Sequence, residues 1–418
     1  MLYLVAFNAT NALNYAYLVA MGLLLGTESY GLFGALFGLV YLASALGNTV
    51  QVAVAKQIAH LHSVQGGLSR RDILASFLPA GLVAVLVALA FLVASPLISR
   101  SLDASAALVL WAGVAAGLSV LVPAGYGALQ GAQRFGALGA SQIVASVSRV
   151  AVGVALVAAG WGPTGALAGV AIGYLPSGLV ALLYAGRAVR TGDGTAVRVQ
   201  APSLRSLVAI LIASVAIAAP TSIDVALVKH FLSATEAGHY TAIAVMGRVV
   251  LFVPLAISFI ALPKVTQKVA QGQDPTSLLW RSIGQSAGLA GGTAALLVLM
   301  VAGLGWSPIG GEISPAAGAL YWYLPAMIAF ALVVPSIYYQ IGCGNVRYLL
   351  VLLIPGMLAQ TLAVLLFHGS IMAVARALLS VNLLLLVASL LPTLLPLSRQ
   401  SRLAQPYLSR TSRSRTRA

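Results

Sequence analysis

Arg149, Asp224, Arg248 and Arg376 each stand inside a long apolar run of the chain. On insertion scales a charged side chain at the centre of a membrane helix costs on the order of 2.5–3.5 kcal/mol, so each of the four needs a reason. A guanidinium stays charged at every physiological pH and offers a planar fork to phosphate or carboxylate oxygens. Arg149 and Arg248 lie midway along their runs and are the candidates for anion binding. Gln142, Ser146 and Arg149 follow i, i+4, i+7 spacing, which makes one face of their helix polar. Asp224 is the only carboxylate inside a run, and it shares a face with Ser214 and Thr221. Pro220, one turn before it, has no N–H to give and leaves the carbonyl of Ala216 short of a donor. Hydroxyls, a carboxylate and a freed carbonyl could bind Na⁺ or relay a proton; in the plainer reading Asp224 offsets Arg248 or Lys229. Arg376 lies about five residues from the start of its run and can snorkel to the headgroups.

A second polar group is made of amides. Asn8, Asn11 and Asn14 recur every third residue near the start, and Asn48 and Gln51 stand near the end of the next run. Interhelical amide hydrogen bonds, worth about 1 kcal/mol each, are one use of such a stripe. Contact with sugar hydroxyls is the other. The histidines at 60, 62, 230, 239 and 368 are scattered at the ends of runs, and no His/Cys/Asp cluster has metal-ligand spacing. No nucleophile stands beside a base, and the lone Cys343 excludes an internal disulfide. No catalytic or metal site is expected, and an enzyme acting at the outer face would need a larger outer loop than any here.

The elements that must hold these residues are membrane helices. Hydrophobic residues make up 60% of the chain and charged ones 7%, against roughly a quarter charged in soluble domains. Twelve spans are predicted: 2–25, 31–55, 73–96, 104–126, 137–159, 164–185, 206–228, 238–261, 283–304, 317–340, 348–366 and 372–396. Outside them, only Arg100 and Lys229 follow odd-numbered spans. Lys56, Arg70, Arg71, Arg134, Arg187, Arg190, Arg198, Arg205, Lys264, Lys268, Arg281, Arg347 and every tail arginine follow even-numbered ones. By the positive-inside rule both termini are cytoplasmic. The net charge of +15 is then a topology signal, and no nucleic-acid partner is expected.

The polar, basic stretch 187–205 separates six spans from six. The expected organisation is a six-helix bundle at 1–186, a cytoplasmic linker at 187–205, a second bundle at 206–396 and a basic tail at 397–418, which should lie near anionic headgroups. An internal repeat crosses that division. "LGTESYGLF", Leu25 to Phe33, is echoed by "LSATEAGHY", Leu232 to Tyr240, and "LQGAQRF" from Leu129 more loosely by "YQIGCGNVRY" from Tyr339. Halves that start on the same side of the membrane are related by an axis along its normal, a plan common in secondary transporters. Gly34 and Gly38, and Gly165, Gly169 and Gly173, form small-xxx-small strings that imply close helix packing. Prolines inside the spans, more frequent in the second half, mark bends.

"LGTESYGLFGALFGLV", "GALQGAQRFGAL" and "DVALVKHFLSATEAGHYTAIAVMGRVVLFVP" resemble the polysaccharide-transporter branch of the multidrug/oligosaccharidyl-lipid/polysaccharide flippase superfamily. The resemblance covers nearly the whole chain and is most specific from Asp224 to Pro254. It implies an all-α polytopic fold of about twelve helices in two bundles, with the hairpins of spans 1–2 and 7–8 at their heart. It implies alternating access around a central cavity and a polyprenyl-diphosphate-linked oligosaccharide as cargo; Arg149 and Arg248 would then hold the diphosphate, a role the resemblance supports for Arg248 through "VMGRVVLF", or else lock helices together. Asp224, Thr221, Ser214, Gln142, Ser146, Asn8, Asn11 and Asn48 would supply cavity polarity or ion coupling, with Na⁺ or H⁺ as the coupling ion and no cofactor. Membrane lipids and other polysaccharide-assembly proteins are the implied partners, in the plasma membrane. Two departures from the family pattern are the missing basic lead-in before span 1 and the missing two C-terminal spans found in lipid II flippases. A multidrug antiporter of the same architecture is the alternative, disfavoured because three intramembrane arginines face one aspartate. A polysaccharide polymerase or ligase is a more distant one.

Overall fold

The computed structural model describes residues 2–65, 70–186, 208, 211–212, 214–215, 218–219, 221–304 and 310–391, and every regular element among them is helical. In hydrocarbon each backbone N–H and C=O must be satisfied within the protein, which a helix achieves by itself. Eight stretches are long and apolar enough to cross a membrane, and Ala9–Leu25 and Leu350–Leu366 are shorter apolar stretches. The helices are α1 Leu2–Leu25, α2 Thr27–Gln65, α3 Arg70–Leu102, α4 Ala106–Gly131, α5 Phe135–Leu156 and α6 Gly162–Gly186. They continue with α7 Ile223–Phe231, α8 Ala234–Phe252, α9 Leu255–Ala270, α10 Thr276–Leu304, α11 Gly310–Gly342, α12 Val346–Leu366 and α13 Ile371–Leu390. Every predicted span except the seventh overlaps one of these along most of its length. Most of the seventh, with Pro220 and Ala216, the 187–205 stretch and the tail, lies outside the described residues.

The chain divides into two compact units, Met1–Thr241 and Ala242–Ala418. In the first, α4 is the hub, packed by α2, α3 and α6, while α1 lies on α5 and α7 on α2. Small residues allow the close approach. A β-carbon added at Gly131 would sit 2.5 Å from the carbonyl oxygen of Ala55, and one at Gly47 would strike the carbonyl of Ser119. α5 and α6 are joined by a wide turn, Val157–Trp161, in which Gly160 takes φ 88°. Gly162, just beyond, takes φ 52°. Side chains with a β-carbon are strained at such angles, so glycine lets two spans reverse with almost no loop.

In the second unit α11 is the hub, packed by α9, α10 and α13, with α12 on α13. The fourth and tenth spans are thus the centres of their units, each with 61% of its most apolar stretch buried. The third and ninth are the most exposed candidates of theirs, at 11% and 22%. Spans six apart hold the same rank, as a duplication requires. The expected bend at Pro254 is present: it separates α8 from α9 with φ −77° and ψ −10°. Pro79, Pro96, Pro123, Pro176 and Pro355 sit within helices without ending them.

Candidate functional site

Arg149 lies on α5 and is only 8% exposed. α6 reaches it through the predicted glycine string: a β-carbon at Gly173 would lie 2.9 Å from the Cα of Arg149, and one at Gly169 would lie 2.7 Å from the nitrogen of Gly153. The next residue on α6, Tyr174, places its ring centroid 5.2 Å from the guanidinium carbon, within cation–π range. α1 supplies the remaining contact. Asn14 Oδ1 accepts a hydrogen bond from Arg149 Nη1 at 3.0 Å and another from Ser146 Oγ at 3.1 Å. Tyr17, on the same helix, donates to the carbonyl of Ala166 at 2.5 Å and packs against Gly153. Three helices therefore hold one guanidinium.

The polar atoms around it are not all satisfied. Arg149 Nε and Gln142 Oε1 are buried without a hydrogen-bond partner among the described residues. Leaving a buried donor or acceptor unpaired costs about 1–3 kcal/mol, and more for a charged group, so such atoms call for a missing partner. The one acceptor Arg149 has among the described residues, Asn14, is neutral. A positive charge in a neutral polar setting with a spare N–H has the chemistry to take an anionic partner.

The other expected residues fall elsewhere. Asn11 and Asn48 are exposed, and the side chain of Asn8 lies outside the described residues. Gln51 is committed to an interhelical bond, its Nε2 donating to Gln130 Oε1 at 3.0 Å. Ser214 is half-buried. Thr221 is fully buried and its hydroxyl donates to the carbonyl of Ala218 at 3.1 Å. Asp224, 3% exposed, accepts from the Tyr240 hydroxyl at 2.9 Å and from the Val225 N–H at 2.8 Å. The aspartate thereby ties α7 to α8.

Still within the first unit, the two copies of the repeated phrase meet. A β-carbon at Gly31 would sit 2.7 Å from the nitrogen of Gly238, one at Gly34 would collide with the side chain of Thr241, and Thr235 Oγ1 donates to Glu28 Oε1 at 3.2 Å. Each pair is separated by the repeat distance of 207 residues. Contact of a position with its own equivalent is the pattern of a self-complementary interface. Gly38, the other small residue of the string, packs on the Ser222 carbonyl, 3.0 Å from an added β-carbon. A capping box fixes the start of α8: Ser233 Oγ donates to Glu236 Oε2 at 2.7 Å and accepts from the Glu236 N–H at 3.3 Å.

In the second unit Arg248 is buried on α8, 7% exposed. Its neighbour Gly247 lets the Tyr323 ring of α11 pack directly on the helix backbone. The amides Gln360 and Asn382 were not singled out from sequence, yet both are buried and bonded to one another, and Asn382 Nδ2 donates to the carbonyl of Ala326 at 2.9 Å. Amides within apolar runs were the available signal. Asn14 was visible in the span-1 stripe; its bond to Arg149 was not. Among the described residues no group of His, Cys, Asp and Glu could hold a metal ion.

These features define a multi-pass membrane protein with the fold of the multidrug/oligosaccharidyl-lipid/polysaccharide transporters. The chain is similar to the lipid II flippase MurJ in its inward closed conformation, at 12% identity and TM-score 0.71, over 97% of this chain and 90% of that one. A multidrug resistance MATE family transporter of the same superfamily, in an outward-facing conformation, matches at 16% identity and TM-score 0.62, over 96% and 94%. A superfamily transporter from Pyrococcus furiosus matches at 15% identity and TM-score 0.57, over 96% and 94%. No curated protein sequence matches. Residues 1–263 match the family described as polysaccharide biosynthesis protein, and the chain belongs to that family.

Proposed function

We propose that this protein moves a polyprenyl-diphosphate-linked oligosaccharide from the cytoplasmic to the outer leaflet of the plasma membrane for surface polysaccharide synthesis. The observation that carries the reading is Arg149, a buried guanidinium whose hydrogen-bond acceptor among the described residues is neutral and whose Nε lacks a partner there. A diphosphate would supply both the opposite charge and the missing acceptor. Arg248, buried on α8, is the other arginine proposed to contact phosphate. Ser146 and Gln142 would meet the first polar groups beyond the phosphates. Transport would proceed by alternating access of two six-span halves, 1–186 and 206–396, with both termini cytoplasmic. Coupling to Na⁺ or H⁺ would fall to Asp224, the buried acid bonded to Tyr240.

Membership in a polysaccharide biosynthesis family supports a glycan-bearing cargo, and one protein of this fold is a lipid II flippase. A multidrug antiporter is the competing reading, since a multidrug resistance transporter shares the fold. Pocket polarity bears on the choice: the Pyrococcus transporter is described as having a binding pocket of reverse polarity that suggests a different function. A buried cation favours an anionic cargo over a cationic drug.

The test is binding of purified protein to polyprenyl diphosphate, with and without a glycan, in wild type, Arg149→Ala and Arg248→Ala. Binding lost in a variant supports the diphosphate role of the arginine it removes. Absent binding in the wild type, together with affinity for cationic amphiphiles, overturns the reading in favour of the antiporter. Arg248→Lys should also be impaired because the fork is lost; full activity would reduce that residue to charge balance.

A further inference from the structure

Arg376 takes no part in this scheme. On α13 the buried positions are Val374, Ala375, Leu378, Asn382, Leu385 and Ser389. The exposed ones include Arg376, Ser380, Leu383, Leu384 and Val387, which form one stripe at helical spacing. Leu384 is 70% exposed and Val387 60%, so this stripe is the lipid-facing side of the helix, and Arg376 points the same way.

Beside it on α11 stands Trp322, 40% exposed, with its ring centroid 4.8 Å from the guanidinium carbon of Arg376. The two helices run side by side in the same direction. A β-carbon at Gly318 would meet Met372 at 3.0 Å, one turn before this pair, and Asn382 bonds Ala326 further along. Arg376 comes five residues after Ile371, the first residue of α13, which sets it about 8 Å into the helix. Tryptophan favours that depth, where the ring spans the boundary between hydrocarbon and headgroups.

Among the described residues the Arg376 guanidinium meets the Trp322 ring and makes no hydrogen bond. Its donors therefore lie on the exposed side of α13, near the helix start, with no acceptor among the described residues to satisfy them. A lone exposed leucine-like position would need no such pairing of cation and aromatic. We infer that Arg376 and Trp322 form a docking site for the phosphate of an anionic phospholipid, in the leaflet on the N-terminal side of α13. The ring fixes one side of the guanidinium and leaves its fork open to two phosphate oxygens.

Native mass spectrometry of the full-length protein, titrated with phosphatidylglycerol or phosphatidylcholine, tests this. Wild type should retain phosphatidylglycerol preferentially. Arg376→Ala should weaken its binding about fivefold, the effect of one arginine near an anionic surface. Arg376→Lys should keep part of the preference, and Trp322→Leu should lie between lysine and alanine. Arg149→Ala should bind phosphatidylglycerol like wild type, which separates this site from the transport cavity. Equal retention of phosphatidylglycerol by wild type and Arg376→Ala, at matched melting temperatures, would overturn the assignment. So would preferential displacement of phosphatidylglycerol by polyprenyl phosphate, which would give the site to the carrier lipid instead.

Discussion

Arg149 and Arg376 are the same side chain in similarly apolar helices, and they are accommodated in opposite ways. Arg149 is enclosed by α1, α5 and α6, with an asparagine, a tyrosine ring and close-packed glycines around it. Arg376 stands on the exposed side of α13 with the Trp322 ring beside it. The neighbours at helical spacing foretell the difference: Gln142 and Ser146 share the face of Arg149, whereas Leu383 and Leu384 share that of Arg376. An intramembrane charge thus becomes informative once the rest of its face is read with it. A polar face leads inward to neighbouring helices; an apolar face leads outward.

The largest test of this contrast concerns the packing that encloses Arg149. Gly169→Leu should drive α6 off α5 and cost several kcal/mol, at or beyond the upper end of ordinary overpacking, because the obstruction is backbone. Size-exclusion chromatography in detergent should show loss of monodisperse protein. Gly291→Leu on α10, which meets nothing within 4 Å, should behave as wild type.

Exchanging each arginine for methionine comes next. Arg149→Met should abolish surface polysaccharide in a complementation assay while the melting temperature holds or rises, since apolar replacement of a buried charge is often neutral or stabilising. Arg376→Met should leave complementation intact. If Arg149→Met still complements, the anion site fails while the fold stands.

A smaller effect separates the anchor from the arginine it holds. Asn14→Leu removes the shared acceptor of Arg149 and Ser146 and should destabilise by roughly 1.5–3 kcal/mol, the range for hydrogen bonds to charged groups. In the Arg149→Met background that cost should shrink, and the double-mutant cycle measures the coupling. Additive effects would show that Asn14 does not hold the arginine.

The smallest test probes burial outside the membrane-crossing stretches. Burial pushes the Cys343 thiol from 9.0 up to about 11. Its thiolate should therefore be roughly a hundredfold scarcer than that of a free cysteine at pH 8, with alkylation rising until the pH passes about 11. Alkylation at the rate of an exposed cysteine would mean that the turn after α11 opens.

Much of this architecture could be read without coordinates. Hydropathy located every predicted span but the seventh, most of which lies outside the described residues, because each helix must cover the hydrocarbon thickness with apolar side chains. Repeated phrases exposed the duplication, and the glycine strings announced close packing, found at Gly34 against Thr241 and at Gly169 against Gly153. Membrane cost alone singled out Arg149, Asp224, Arg248 and Arg376.

Partners were another matter. Asn14 and Arg149 are 135 residues apart, and nothing local to either names the other. Glu28 and Thr235 lie on opposite sides of the linker stretch, yet they bond. The sequence of one helix states which of its faces is polar, because 3.6 residues complete a turn whatever surrounds it. Which neighbour that face meets depends on backbone approaches set by small residues on other helices, and only the tertiary structure decides them.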